Sequence, residues 1–229
     1  MAKEEMVTLY KYMSSKHLEE TLLNSRLYMD DGSHFNDPFE LNVIKNKEVT
    51  HIDGLHILCL TNSFQKKLMW SHYSDSHKGV CLTIKVPLSI VYPICYSSKR
   101  ISSRTNLDKT IQESRKKAKN SKKKFDNKDY SKLTNDQKIA FIKDQKWSYE
   151  NEYRIVLDNT DCLENEKNKY YLPVTITNIY LGVNYDSTEF TEEMFDYCEK
   201  NGITIKQMKL STKNYSVNPV LYNREAANE

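Results

Sequence analysis

Residues 147–156 read W-S-Y-E-N-E-Y-R-I-V, and they concentrate side chains able to do chemistry. On a strand, Glu150, Glu152, Arg154 and Val156 share one face, and Tyr149, Asn151, Tyr153 and Ile155 share the other. Carboxylates two residues apart on one strand face emerge about 7 Å from each other. Such a pair suits a reaction that builds positive charge on a sugar. One carboxylate stabilises the oxocarbenium-like centre, and the other takes a proton from the attacking nucleophile. Together with Asp37 and Glu40, the same glutamates form an acidic cluster able to hold a divalent metal in a nuclease. A third account is structural: a solvated cross-strand ion ladder closed by Arg154 in a non-enzymatic binding or regulatory module. The residues alone leave all three open.

The rest of the chain bounds the setting. Its 229 residues (27.0 kDa) suit a single domain, 1–229, with a sizeable core. Net charge is a mild +3, but residues 115–128 are strongly basic. The five cysteines (Cys59, Cys81, Cys95, Cys162, Cys198) form no C-x-x-C pair, which favours a reduced, cytoplasmic protein over a disulfide framework. The first six residues are charged and no apolar stretch follows, so neither a secretory signal nor a membrane partner is expected. With five glycines, a Gly-rich phosphate loop is excluded; sixteen tyrosines favour strands.

In chain order, residues 8–12 (T-L-Y-K-Y) read as a first strand. A helix follows, capped by Ser14 or Ser15 and built on Leu18, Leu22 and Leu23. Residues 30–40 (D-D-G-S-H-F-N-D-P-F-E) form a compact loop that Phe35 and Phe39 anchor to the core. Its Asn36, Asp37 and Glu40 either meet a substrate or satisfy their own backbone. Residues 55–63 are an apolar strand ending in Thr61, Asn62 and Ser63. Residues 64–76 suit a helix with Leu68, Met69 and Tyr73 inward. His72 and His77 lack a third ligand, so no metal is expected there. Residues 78–86 are a strand, and Pro93 places the extended piece 90–96 at an edge. Residues 97–145 form a polar, lysine-rich insertion with two helices, marked by Leu107/Ile111 and Ile139/Ile142. This insertion is either solvated or grips nucleic acid. Strands follow at 170–174, 176–183 and 203–210, with a helix between the last two capped by Thr188 or Thr191 and stopped by Gly202. The tail beyond Pro219 reads as loose. The sum is an α+β fold, a mixed and largely antiparallel sheet with flanking helices.

Three pieces together resemble the bacterial family called domain of unknown function 2971: Y-K-Y with N-D-P-F-E (residues 10–12 and 36–40), L-M-W-S-H-Y…H-K-G-V (68–80), and W-S-Y-E-N-E-Y-R-I (147–155). That resemblance spans residues 9–182 and implies no chemistry. A weaker one does. The order Y-K-Y, Thr61-Asn62-Ser63, Glu150-x-Glu152 is similar to the Arg, Ser-Thr-Ser, Glu-x-Glu order of mono-ADP-ribosyltransferases, with lysine in place of arginine and Thr-Asn-Ser in place of Ser-Thr-Ser. It implies an ADP-ribosyltransferase-like fold and an NAD-consuming enzyme, either a transferase or a glycohydrolase, in a bacterial toxin or phage-defence effector. The partner would be a small nucleotide, with a protein or nucleic-acid acceptor. The implied roles are Glu152 on the ribose, Glu150 as base and Lys11 on a phosphate. Tyr10, Thr61, Ser63 and Tyr73 would line the cofactor. Trp70 either stacks or packs, His72 lies nearby, and Arg154 steadies the glutamates.

Overall fold

The structure, a computed structural model, describes residues 4–45, 48–100, 106–118, 128–158, 163–164 and 169–223. The chain forms two compact units. One contains Met1–Leu27, Leu60–Leu88 and Pro173–Glu229; the other contains Tyr28–Cys59 and Ser89–Leu172. The expected mixed, mostly antiparallel sheet is present. Among the described strand pairings, only Thr175–Leu181 with Thr204–Leu210 and Cys95–Ser97 with Ile142–Asp144 are parallel.

In the first unit the strands run in the order Val217–Leu221, Thr204–Leu210, Thr175–Leu181, Val80–Pro87, Met6–Met13. Tyr10 of the last strand faces Thr61. Val80–Pro87 is central and buries Val80, Cys81, Leu82, Ile84 and Val86, which explains its nearly unbroken apolar run. The helix Leu18–Leu23 buries Leu18 and Leu22 as expected. Ser14 does not cap it, because its hydroxyl bonds Asp75 instead. The helix Glu192–Lys200 starts at Thr191, whose Oγ1 accepts from the Met194 N–H at 3.3 Å, and buries Met194 and Cys198. Two expectations fail in this unit. Leu68 is exposed on the helix Lys67–Tyr73, because Trp70 sets the inward face by donating to the Phe64 carbonyl at 2.7 Å and packing edge-on against Tyr12. The stretch around Pro219 is an edge strand, where a missing N–H is tolerated.

Between the helix Lys67–Tyr73 and the strand Val80–Pro87, three consecutive non-glycine residues are left-handed: Asp75, Ser76 and His77, with φ of 46°, 55° and 71°. Backbone bonds pin this turn, including His77 N–H to Trp70 O at 3.1 Å and Asn184 N–H to His77 O at 3.0 Å. Gly182 packs so closely on the turn that a Cβ would collide with the carbonyl oxygens of His77 and Gly79. Gly182→Ala is therefore expected to lower stability by about 1–3 kcal/mol, as overpacking does, in a urea titration. An unchanged midpoint would show that the turn yields.

The second unit has its own core, including Leu41, Ile57, Ile94, Leu107, Ile139 and Phe141. The helix Leu107–Ala118 carries the expected Leu107/Ile111 pair; a second helix, Asn135–Ile139, is present but ends before Ile142, and Thr134 and Gln137 form a capping box on it. Their apolar residues Leu107, Ile111 and Ile139 are core residues, while Asp108, Lys109, Gln112, Glu113 and Lys116 are exposed, so the first of these helices buries one face and leaves the other to solvent. Ile142 belongs to the strand Ile142–Asp144 rather than the helix. Most of the basic run lies outside the described residues, as does Cys162. Pro93 pairs with Tyr153 at a sheet edge, as expected. Phe35 packs against the core, but Phe39 is 58% exposed, contrary to expectation.

The strand expected over residues 147–156 begins only at Glu152 and runs Glu152–Leu157. Gln145–Glu150 is a 3-10 turn, started by Asp144, whose carboxylate accepts from the Lys146 N–H at 2.8 Å. It ends at Asn151 with φ of 41°, a conformation asparagine tolerates. Glu150 and Glu152 thus come from different elements, and the alternation read through 149–151 does not hold.

Candidate functional site

Five charged side chains of the second unit meet in its interior. Arg154 and Glu152 lie two apart on one strand face, and Arg154 Nε donates to Glu152 Oε1 at 2.6 Å. The Arg154 guanidinium also donates to Glu152 Oε2 at 3.1 Å, to the Ala140 carbonyl at 2.7 Å, and to Glu40 Oε2. Lys143, from the strand Ile142–Asp144, is held by Glu150 at 2.7 Å, Glu40 at 3.0 Å and Glu152 at 3.1 Å. Glu40 is positioned by a turn in which Asp37 Oδ1 accepts from the Phe39 N–H at 3.0 Å and the Asp37 carbonyl from the Glu40 N–H at 3.1 Å. Aromatic faces cover both cations: Phe35 lies 5.0 Å from Arg154 and Trp147 lies 5.0 Å from the Lys143 ammonium.

All five are nearly inaccessible, at 1% for Arg154 and Glu150 and 5% for Glu40, Lys143 and Glu152. The ion ladder is therefore real but not solvated, and its energetics are those of buried charge. Burial alone would raise the Glu152 carboxyl, but Arg154 and then Lys143 hold it down at about 2. Burial would likewise depress Lys143, yet Glu152, Glu40 and Glu150 hold its ammonium above the ordinary lysine range despite Arg154. Burial and then the nearby Glu152 charge push the Tyr96 phenol up, so it stays protonated while accepting from the Glu152 N–H at 2.9 Å.

Glu40 and Lys143 also form part of the wall of a cavity of about 230 Å³, together with Asp37, Ile139, Ile142 and Asp144. Glu150 and Glu152 are not in that wall. Asp37 is 4% exposed, and its Oδ2 has no hydrogen-bond partner among the described residues. A buried acceptor without a donor needs explaining, and a ligand hydroxyl or amide N–H is one source.

The structure thus brings together Glu40, Glu150, Glu152 and Arg154 and sets Asp37 beside Glu40; Asn36 is exposed on the same turn. The other expected residues belong to the first unit. There Tyr10 faces Thr61 across the strands, and Thr61 Oγ1 accepts from Lys66 at 3.2 Å. Ser63 Oγ accepts from the Gln65 N–H at 3.1 Å. Lys11 alternates to the strand face opposite Tyr10 and Tyr12. Trp70 is a core residue, Tyr73 is half-buried and His72 is exposed. Lys143 was not foreseen. Its only signal is a lone lysine between Ile142 and Asp144 in an otherwise lysine-rich stretch. Among the described residues, the atoms of Asp30, Asp31 and His34 lie close enough to share a cation, but Asp30 and Asp31 already accept backbone N–H groups of their own loop.

Residues 69–155 match the model of a family described as Protein of unknown function (DUF2971). This supports the resemblance seen in the sequence and includes Lys143, Glu150, Glu152 and Arg154, while Lys11, Asp37, Glu40, Thr61 and Ser63 fall outside it. No curated protein and no solved structure matches the chain significantly. Among the described residues, no helix is long and apolar enough to cross a membrane.

Proposed function

We propose that this chain is an NAD-consuming enzyme, an ADP-ribosyltransferase or NAD glycohydrolase, whose substrate site is the cavity beside the buried charge network. The observation that carries the reading is the cavity wall, which combines the Glu40–Lys143 pair with the unpartnered Asp37 oxygen. When the bond between nicotinamide and ribose breaks, its electron pair leaves with nicotinamide and positive charge develops on the sugar. Glu40 supplies the fixed negative charge that this centre needs, and Asp37 accepts from a ribose hydroxyl. Water or an acceptor group then bonds to the ribose carbon and gives up its proton to solvent. Lys143 fixes the Glu40 carboxylate, while Glu150 and Glu152 fix Lys143. The role first assigned to Glu152 therefore moves to Glu40, and Glu152 becomes a positioning residue. The bacterial toxin or phage-defence setting rests on the sequence resemblance and belongs to this same proposal.

A second reading, a binding module without turnover, is favoured by the mutual pairing of the network, which gives Glu150, Glu152 and Arg154 a sufficient structural role. The nuclease reading is disfavoured on charge grounds, because Lys143 and Arg154 already stand among three of the four carboxylates a metal would need. The deciding experiment incubates the full chain with NAD, with and without cell extract, and follows nicotinamide release and labelled acceptors. Release is expected. Glu40→Gln should cut it by about 10²–10⁴-fold in protein whose circular dichroism confirms that it is folded. No release, no labelled acceptor and no NAD binding would remove the proposal.

A further inference from the structure

Glycosyl transfer as described uses the wall of the cavity but not its mouth. Ser97, Ser98, Lys99 and Arg100 also line the cavity, and the exposure of the last three marks them as its solvent-facing side, the mouth. Ser97 ends the strand Cys95–Ser97, paired with Asp144. Its hydroxyl accepts from the Lys99 N–H at 3.1 Å and donates to the Lys99 carbonyl at 3.0 Å, a tight turn that leaves Ser98, Lys99 and Arg100 exposed. Neither Lys99 nor Arg100 has an ion-pair partner among the described residues. The acids of the wall are engaged elsewhere: Glu40 with Lys143 and Arg154, Asp37 with the Phe39 N–H, and Asp144 with the Lys146 N–H. The Arg100 guanidinium sits 5.1 Å over the ring of Phe39, another wall residue and an exposed one. Stacking fixes the plane of the guanidinium and leaves its edge donors for an anion.

Two cations with no ion-pair partner among the described residues, beside a concave site, raise the local concentration of anions. A guanidinium, an ammonium and a serine hydroxyl form a donor set suited to phosphate oxygens, with arginine able to bind two at once. The same cavity holds carboxylates at Glu40 and Asp37, which would repel a phosphate in the interior. An anionic group is thus favoured at the mouth and a neutral, hydroxyl-rich or cationic group inside.

We infer that the mouth of this cavity is a phosphate subsite, so the ligand is a ribonucleotide whose phosphate rests on Lys99, Arg100 and Ser98 while its ribose enters towards Glu40 and Asp37. This rests on the cavity being the substrate site, and it adds a requirement for a phosphate on the ribose that enters.

The test is calorimetric titration of the full chain with ADP-ribose, nicotinamide mononucleotide, nicotinamide riboside and inorganic pyrophosphate, in wild type and in Arg100→Ala and Lys99→Ala. Arg100 and Lys99 are exposed, so both variants should fold, and thermal unfolding checks this. The phosphorylated nucleotides should bind, should weaken with added salt, and should lose at least tenfold in affinity in Arg100→Ala. Nicotinamide riboside should bind more weakly and be indifferent to that substitution. Pyrophosphate alone should compete with ADP-ribose; binding of pyrophosphate with no contribution from the ribose would overturn the inference in favour of a simple anion site. Equal affinity with and without phosphate, no effect of Arg100→Ala, or no binding of any of the four would also overturn it. Nicotinamide release from NAD is read separately. Arg100-dependent binding without release would end the proposal of turnover and leave the subsite standing. Release with KM unchanged in Arg100→Ala would do the reverse.

Discussion

Arg154→Ala is expected to cost about 3–5 kcal/mol of stability, the range for removing one partner of a buried charge network. The guanidinium touches Glu152, Glu40 and the Ala140 carbonyl, and nothing else in reach can donate so many hydrogen bonds in one plane. Without it, Lys143 is the one charged partner left to Glu152 among the described residues, and a cavity replaces the buried side chain lying against Phe35. Arg154→Lys should recover little, since an ammonium cannot reproduce the fork. Arg154→Met with Glu152→Met should be much milder than either single change, because the charge is then removed along with its partner. Urea titration of the four proteins checks this. A loss below about 1 kcal/mol in Arg154→Ala would show that water reaches the site and that the network is not buried in solution.

Acidification should unfold the protein by a mechanism that the same network dictates. Glu152 titrates near 4.5 in an unfolded chain and is held at about 2 in the folded one. Its carboxyl is thus depressed by folding, and its contribution is fully present above pH 4.5 and is lost as pH falls towards 2. That difference corresponds to something on the order of 3 kcal/mol. The slope of unfolding free energy against pH should therefore be steep between about pH 4.5 and 2 and shallow from 5 to 8. Glu152→Gln should have a lower plateau at neutral pH and a flatter acid limb. An acid limb as steep as that of wild type in the variant would assign the effect to other carboxylates. The same reasoning applies to Glu152→Gln and Glu40→Gln as tests of chemistry, since both carboxylates pair with Lys143 and Arg154; in each, lost activity is read only in protein shown to be folded.

The sequence made the fold class legible because its strongest signals are local. The alternation in 203–210, the Thr191 cap with Gly202 beyond it, and the i, i+4 pair Leu107/Ile111 each fix an element without reference to the rest of the chain. The misplacements share another cause. Phe39 and Leu68 are large apolar residues that pattern alone sends inward, yet Phe39 instead lies under Arg100, and Trp70 takes the inward face next to Leu68. The residues 149–151 look like strand by alternation, but Asp144 starts a helical turn and Asn151 ends it, a choice made by two polar side chains. Of the charged group, Glu40, Glu150, Glu152 and Arg154 were singled out from their types, whereas their burial and the part played by Lys143 were not. A lysine amid lysines carries no mark of the three carboxylates that surround it, because Glu40 comes from 103 residues earlier in the chain.

That distance also biases the order of events expected in folding. Lys143, Glu150, Glu152 and Arg154 lie within one short stretch; the Lys143–Glu152 contact spans 9 positions, and the Glu40–Arg154 contact spans 114. Loop closure grows with the logarithm of length, so the second contact costs about 2 kcal/mol more in chain entropy than the first. The four local charges can gather while the chain is still open to water, where the cost of bringing them together is small. Glu40 is then expected to join last, with the loop 30–40, and to close them off from solvent. Until it does, Arg154 and Lys143 each lack one carboxylate, so the step that completes the cavity wall is the same step that completes the charge network.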